Sequence, residues 1–178
     1  LAGNLCNASP AADSVPAMIA AGAKAVIVGA KTRRTIAVEK IAVGPGQTCL
    51  KKDELIESIA LPKSGPRTGD AYLRFIPRTE MDIAVVGVAV CVTLARGRIK
   101  SARVALGAVA PTAMLVAAAA RAIVGTRLED DALEKLARAC SAACNPIDDK
   151  RGTVAYRTRL AGVLAKRAAK IAFARAGG

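Results

Sequence analysis

The sequence predicts an α+β fold in which antiparallel strands come first and helices follow. The run Ile83 to Leu94 is rich in Val, with Val86, Val88, Val90 and Val92 alternating, and Ile99 to Val109 supplies a further strand. Beyond Pro111 the composition turns to Ala-rich and amphipathic segments with helical spacing. Ahead of both lies Pro62 to Gly69, where Lys63, Ser64, Gly65, Pro66 and Arg67 make a breaker-rich stretch that reads as a linker. The expected organisation is therefore a first unit over residues 1–62, a linker over 63–69 and a second unit over 70–178.

In chain order, Leu1 to Asp13 crowds small and short polar residues together: Gly3, Asn4, Asn7, Ser9 and Asp13. Two readings stand. One is a tight turn leading into a helix capped by Ser9 or Asp13. The other is a glycine loop before a helix N-terminus, a ready site for a phosphate-bearing cofactor. Pro10 to Ala21 has Val15, Met18 and Ile19 at helical spacing, and Gly22 ends that short helix. Ala23 to Val28 and Arg34 to Val38 form a hairpin around the charged turn at Lys31 to Arg34. Gly44-Pro-Gly46 is a loop, and Leu55 to Leu61 a strand that closes the first unit.

In the second unit Ala71 to Ile76 is a strand. With the two Val- and Ile-rich runs, turned at Arg96-Gly-Arg98, it makes a three-stranded antiparallel meander. Pro111 opens an Ala-rich helix that Gly125 ends. A second helix runs from Glu129 or Asp130 to about Cys144, with acidic residues in its first turn. The last segment puts Tyr156, Leu160, Val163, Leu164, Ala168 and Ile171 on one face, with Arg157, Arg159, Lys166, Arg167 and Lys170 mostly elsewhere. The three helices are expected to stack on one face of the sheet.

Composition narrows the function. With 53% hydrophobic residues in 178, the chain can bury a real core. Its 27 basic against 14 acidic residues give +13, which suggests acidic partners, nucleic acid or a phosphorylated ligand. Those cations are spread along the chain, and only 2% of residues are aromatic, so the stacking platform of a single-strand binder is missing. No His is present, which removes the commonest general base and metal ligand. The five cysteines lack CxxC spacing. Cys140 and Cys144 would share a helix face, which suits packing better than a metal site, and an odd count fits a reducing cytoplasm. The uncharged run Ile83 to Ala95 is too short to span a membrane, and Val104 to Ala120 is broken by Gly107 and Pro111.

The stretch Leu-Ala-Gly-Asn-Leu-Cys-Asn-Ala-Ser-Pro-Ala-Ala-Asp (Leu1 to Asp13) resembles the second flavin-binding motif of the FAD-binding medium subunits of the molybdenum hydroxylases, the xanthine dehydrogenase and carbon monoxide dehydrogenase family. Further matches follow in order: Gly44-Pro-Gly46 with Thr48, Asp53-Glu-Leu-Ile56, Tyr72 to Arg78, Met81 to Val86, Ala105 to Pro111, and Arg151-Gly with Tyr156-Arg157. Such colinearity over nearly the whole chain is far more specific than one Gly-rich loop.

The resemblance implies that residues 1–62 are the later part of a flavin domain and that 70–178 form the smaller domain of these subunits. It implies an oxidoreductase component in which FAD takes electrons from iron–sulfur clusters of a small subunit, fed by a molybdopterin site in a large subunit, and hands them to an acceptor. Carried over by position, Gly3, Asn4 and Asn7 lie against the cofactor, Asp13 bonds the flavin's sugar-alcohol chain, and Leu55 and Ile56 pack on the ring system or serve as plain core. Arg74 stands where the family often has Lys near the ring. Arg78 and Asp82 are expected to form a structural ion pair, and no residue is assigned a catalytic role.

Where the family motif commonly begins Thr-Ile-Gly-Gly, this chain has Ala2 in place of the first Gly. The Gly-rich loop that relatives use for the FAD pyrophosphate is expected upstream of Leu1, either because the chain is a fragment or because its start is incomplete. On that reading the isolated chain binds FAD weakly or not at all and is inactive alone. The resemblance does not account for the charge, which leaves the alternative of a basic binding module using Arg157 to Arg175 on nucleic acid or an anionic surface.

Overall fold

The computed structural model describes residues 1–78 and 82–178. Met81, which opens one of the stretches that carry the resemblance, lies outside the described residues.

The chain begins with two short helices, α1 (Ala2–Asn7) and α2 (Ser14–Ala20). A three-stranded antiparallel sheet follows, with β1 (Lys24–Val28) between β2 (Arg33–Ala37) and β5 (Leu55–Ala60). The expected hairpin is present, with Lys24 opposite Ala37 and Val28 opposite Arg33. Strand β1 buries Ala25 and Ile27, the alternation that a half-covered sheet requires. The loop expected at Gly44 to Gly46 is the turn of a second hairpin, β3 (Ala42–Gly44) with β4 (Gln47–Thr48). Gly46 supplies its left-handed residue at φ 68°.

The second sheet runs β6 (Thr68–Phe75), β7 (Val86–Ala95), β8 (Arg98–Gly107) and β9 (Met114–Leu115), antiparallel throughout and in that order. The expected meander is its first three strands. The short β9 was not expected: Pro111 does not open a helix, because the chain first lays Met114 and Leu115 against Leu106 and Ala105. Helix α3 begins only at Ala117 (Ala117–Ile123), followed by α4 (Asp130–Ala143) and α5 (Val154–Arg175).

The three helices stack on one face of this sheet, as expected, and the first unit covers the other. Val86, Val88, Val90, Val92 and Leu94 point to α3, α4 and α5, in one core with Leu133, Leu136 and Leu164. The intervening Ala89, with Ala105 on β8, joins a second core with Val15, Met18 and Ile19 of α2. Small residues on that face let α2 press against the strands. A Cβ at Gly107 would fall 2.6 Å from the Pro16 Cγ. Period-2 alternation of large and small side chains thus decides which layer lies on which side.

Helix α5 departs most from expectation. Of the expected face, Leu164 and Ala168 are buried and Leu160 packs on the core, but Tyr156 and Ile171 are exposed, and Ala161, Gly162, Ala165, Ala169 and Ala172 complete the buried side. Close packing requires the small residues, since a Cβ at Gly162 would fall 3.2 Å from the Ala137 carbonyl oxygen of α4. Arg157, placed among the outward cations, is buried. A surface role for a cationic last helix therefore loses its first residue.

Candidate flavin site

Helix α1 is anchored by Leu5, 2% exposed, while Gly3, Asn4, Cys6 and Asn7 face solvent. Gly3 is helical, so it serves no tight turn. A Cβ built there would meet nothing within 4 Å, and the glycine leaves open surface in front of the helix. Asn4 donates from Nδ2 to the Ser14 Oγ at 2.8 Å, which ties α1 to α2. No hydrogen bond engages the Asn7 side chain among the described residues. Neither expected helix cap forms: Ser9 Oγ accepts from the Ala11 amide at 3.3 Å, and Asp13 makes no capping bond although it stands at the head of α2.

Asp13 turns instead to the second sheet. One carboxylate oxygen accepts from the Tyr72 hydroxyl at 3.3 Å, and the other pairs with the Arg74 guanidinium. Tyr72 and Arg74 lie two residues apart on β6 and so share a face of the strand. Burial, then the Asp13 charge and its hydrogen bond, push the Tyr72 hydroxyl well above the usual phenol range, so it remains a donor. Sequence reasoning missed Tyr72 as a site residue. The usable signal was the Tyr-x-Arg spacing within a β-rich run.

The two apolar candidates separate. Leu55, at the start of β5, is 58% exposed, and Ile56 packs half-buried against the core of the first unit. Helix α1 packs on both β4 and β5. Gly3, Asn4, Asn7, Asp13 and Arg74 supply an open surface, amide and carboxylate groups and a cation, and Leu55 is an uncovered apolar side chain on β5, a strand that α1 packs on. That donor set fits a flat, partly apolar ligand with a polar tail.

A pocket of about 390 Å³ lies beside this site, lined by Ser9, Pro10 and Ala11 from the α1–α2 connection and by Ile83, Asn145 and Ile147 from the second unit. In its lining, Arg157 donates to the Val85 carbonyl at 2.7 Å, the Ala108 carbonyl at 3.3 Å, the Gly152 carbonyl at 3.3 Å and the Asp149 carboxylate at 2.7 Å. Burial pushes the Asp149 carboxyl up, but the Arg151 amide and Arg157 outweigh it and hold the group below its usual range. Asp82 does pair with Arg78, at 3.3 Å, as expected. It also binds Arg151 at 2.6 Å, a partner the sequence did not suggest.

Residues 71–172 match the family described as CO dehydrogenase flavoprotein C-terminal domain. The chain belongs to this family. Residues 1–64 match the FAD binding domain in molybdopterin dehydrogenase, so the chain is of the FAD-binding medium-subunit type within the molybdenum hydroxylases. The medium chain of carbon monoxide dehydrogenase from Hydrogenophaga pseudoflava is 31% identical over 98% of this chain and 61% of its own length. The xanthine dehydrogenase FAD-binding subunit of Escherichia coli O157:H7 is 27% identical over 99% of this chain and 61% of its own length. Among solved structures, reconstituted CO dehydrogenase from Oligotropha carboxidovorans aligns with a TM-score of 0.93 at 32% identity, covering 97% of this chain and 60% of that one. The chain therefore spans about three-fifths of the length of these medium-subunit relatives. No helix among the described residues is long and apolar enough to cross a membrane.

Proposed function

We propose that this chain is part of an electron-transfer flavoprotein subunit that receives electrons from iron–sulfur clusters of a small subunit, fed by a molybdopterin-bearing large subunit, and delivers them to an acceptor. The carrying observation is the junction of Asp13, Tyr72 and Arg74 beside the open face of α1, in a chain whose two halves match the two flavoprotein families in order.

In this reading Gly3, Asn4 and Asn7 hold the cofactor against α1. Asp13 bonds a hydroxyl of the flavin's sugar-alcohol chain, while Tyr72 and Arg74 fix the carboxylate in place. Leu55 and Ile56 supply apolar surface to the ring edge. When bound, FAD supplies reversible two-electron chemistry that can be divided into single-electron steps toward an iron–sulfur partner. The chain's own contribution is positional and electrostatic: it orients the cofactor, excludes water from one face and sets a cation near it.

The division at residues 63–69 belongs to the same proposal, supported by the two family matches ending at 64 and beginning at 71. Five unpaired cysteines are compatible with a reducing, cytoplasmic setting, which we also propose. The test is flavin content and flavin reduction in the subunit extended upstream to the length of its relatives, with partner subunits present. A flavin that forms and reduces only in that assembly supports the reading. An extended subunit free of flavin refutes it.

A further inference from the structure

The flavin reading leaves the net charge of +13 without a role. Four exposed arginines gather at one end of the second sheet, on three different connections. Arg96 and Arg98 flank Gly97 at the β7–β8 turn, and Ala95 pairs with Arg98 there. Arg67 lies alongside, its carbonyl accepting from the Leu94 amide at 2.9 Å. Arg127, on the α3–α4 connection, closes over the turn: a Cβ at Gly97 would lie 3.9 Å from its Nη2. The same connection is held to β8 by the Ile99 amide on the Thr126 carbonyl at 2.9 Å and by Arg98 Nη1 on the Gly125 carbonyl at 3.0 Å. Acids follow Arg127 closely: the Glu129 carboxylate accepts from the Arg127 amide at 3.0 Å and feels the charges of Arg98 and Arg127, and Asp130 and Asp131 open α4. None of the four guanidiniums takes part in an ion pair among the described residues.

Local backbone geometry opposes two of these side chains. Arg96 and Gly97 both have positive φ, 51° and 72°, the pattern of a two-residue hairpin turn that favours Asn or Gly at the first position. Arg67 is left-handed as well, at 54°. A long side chain is disfavoured in that region relative to the right-handed one. Two of the four cations therefore stand where local geometry disfavours them.

We propose that this hairpin tip, with Arg67, Arg96, Arg98 and Arg127, is a docking surface for a carboxylate-rich segment of a protein partner. Guanidinium forks match carboxylates in a bidentate manner, as Arg33 does with Glu57 at 2.7 and 2.6 Å elsewhere in the chain. The patch is compact, whereas a nucleic-acid backbone needs cations strung along a track, and no aromatic side chain is among the four to stack a base. It also leaves the flavin site free. Strand β6 separates Arg67 from Arg74 by its full length, about 23 Å at the usual rise per residue. The charge and geometry of this surface are independent of electron transfer.

The test is fluorescence anisotropy of a labelled poly-glutamate peptide against the whole chain at low and high salt. It compares the unaltered protein, R96E/R127E, and the control R159E/R167E, which makes the same charge change on the exposed face of α5. The tip reversal should weaken binding on the order of tenfold while the control stays near the unaltered protein. Melting temperature reports the fold, and R96Q/R127Q replaces the reversal if that variant is unfolded. Equal losses in both variants would reduce the effect to net charge and overturn the proposal. Tighter binding of duplex DNA or of anionic vesicles through the same tip residues would overturn it too.

Discussion

Asp13 at the head of α2 and Arg74 on β6 close an ion pair across 61 residues of sequence, with the Tyr72 hydroxyl on the other carboxylate oxygen. The contact clamps the head of α2, to which Asn4 is tied through Ser14, onto the sheet of the second unit. Both side chains are well exposed, at 42% and 37%, so the pair contributes at most about 1 kcal/mol to folding. Its position at the candidate site, and not its strength, is what gives it consequence. Asp13→Ala and Arg74→Ala are expected to leave the urea midpoint close to that of the unaltered chain. In the full-length subunit each should lower flavin affinity on the order of tenfold, read by retained absorbance after gel filtration. A large loss of stability with flavin retained would make the pair a fold element only.

Arg157 is the reverse case. Its guanidinium is 4% exposed and reaches three carbonyls and the Asp149 carboxylate. Removing it leaves those acceptors and a partly buried carboxylate without their donor. Arg157→Ala should therefore cost about 3–5 kcal/mol in urea unfolding, with Arg157→Lys recovering only part because a single ammonium cannot reach all four acceptors. A loss below about 1 kcal/mol would contradict the geometry.

Close approach of α5 to β6 rests on Gly69. A Cβ there would fall 2.9 Å from the Arg175 carbonyl carbon and within contact of the Ala172 carbonyl oxygen, and neither is a flexible side-chain end. Gly69→Ala is expected to cost about 1–3 kcal/mol, visible as a lower melting temperature. Gly3→Ala, with open space before it, should leave the melting temperature within a degree or two while still testing the flavin face.

Acid should weaken the first unit through Glu54. Its side chain is 1% exposed, bonded to Arg34 at 2.7 and 3.0 Å and to the Lys51 amide at 2.9 Å. Arg34 first and the Lys51 amide second bring its carboxyl down from 4.5 to about 2. A carboxyl with a lowered folded value stabilises the native state in full above its unfolded value, and that contribution is lost as pH falls from about 4.5 to about 2. The stability gap between the unaltered chain and Glu54→Gln should be constant above that window and shrink through it. A gap that widens on acidification would reverse the assignment.

How far the sequence could be read follows from where each signal lies. The β1–β2 hairpin and the Val-rich β7 were legible because their periodicity is local. The buried face of α5 was legible only in part: Leu164 and Ala168 lie on it, but Ala and Gly carry little hydrophobic contrast, so the larger Tyr156 and Ile171 pulled the expected face to one side. The two-sided burial of the second sheet was hidden because Ala89, Ala105 and Gly107 read as weak strand formers, when their smallness is what admits α2. At the site, the ordered motifs pointed to Gly3, Asn4, Asn7, Asp13, Leu55, Ile56 and Arg74. The partnership of Asp13 with Tyr72 and Arg74 needed the fold, since no local pattern links residues so far apart.

Flavin content tests the central claim most directly. The subunit extended upstream to the full length of its medium-chain relatives should purify yellow, with close to one FAD per chain, and Asp13→Ala in that background should lose much of it. The 178-residue chain alone should hold FAD weakly or not at all. A full-length subunit that folds and assembles yet carries no flavin would contradict the account.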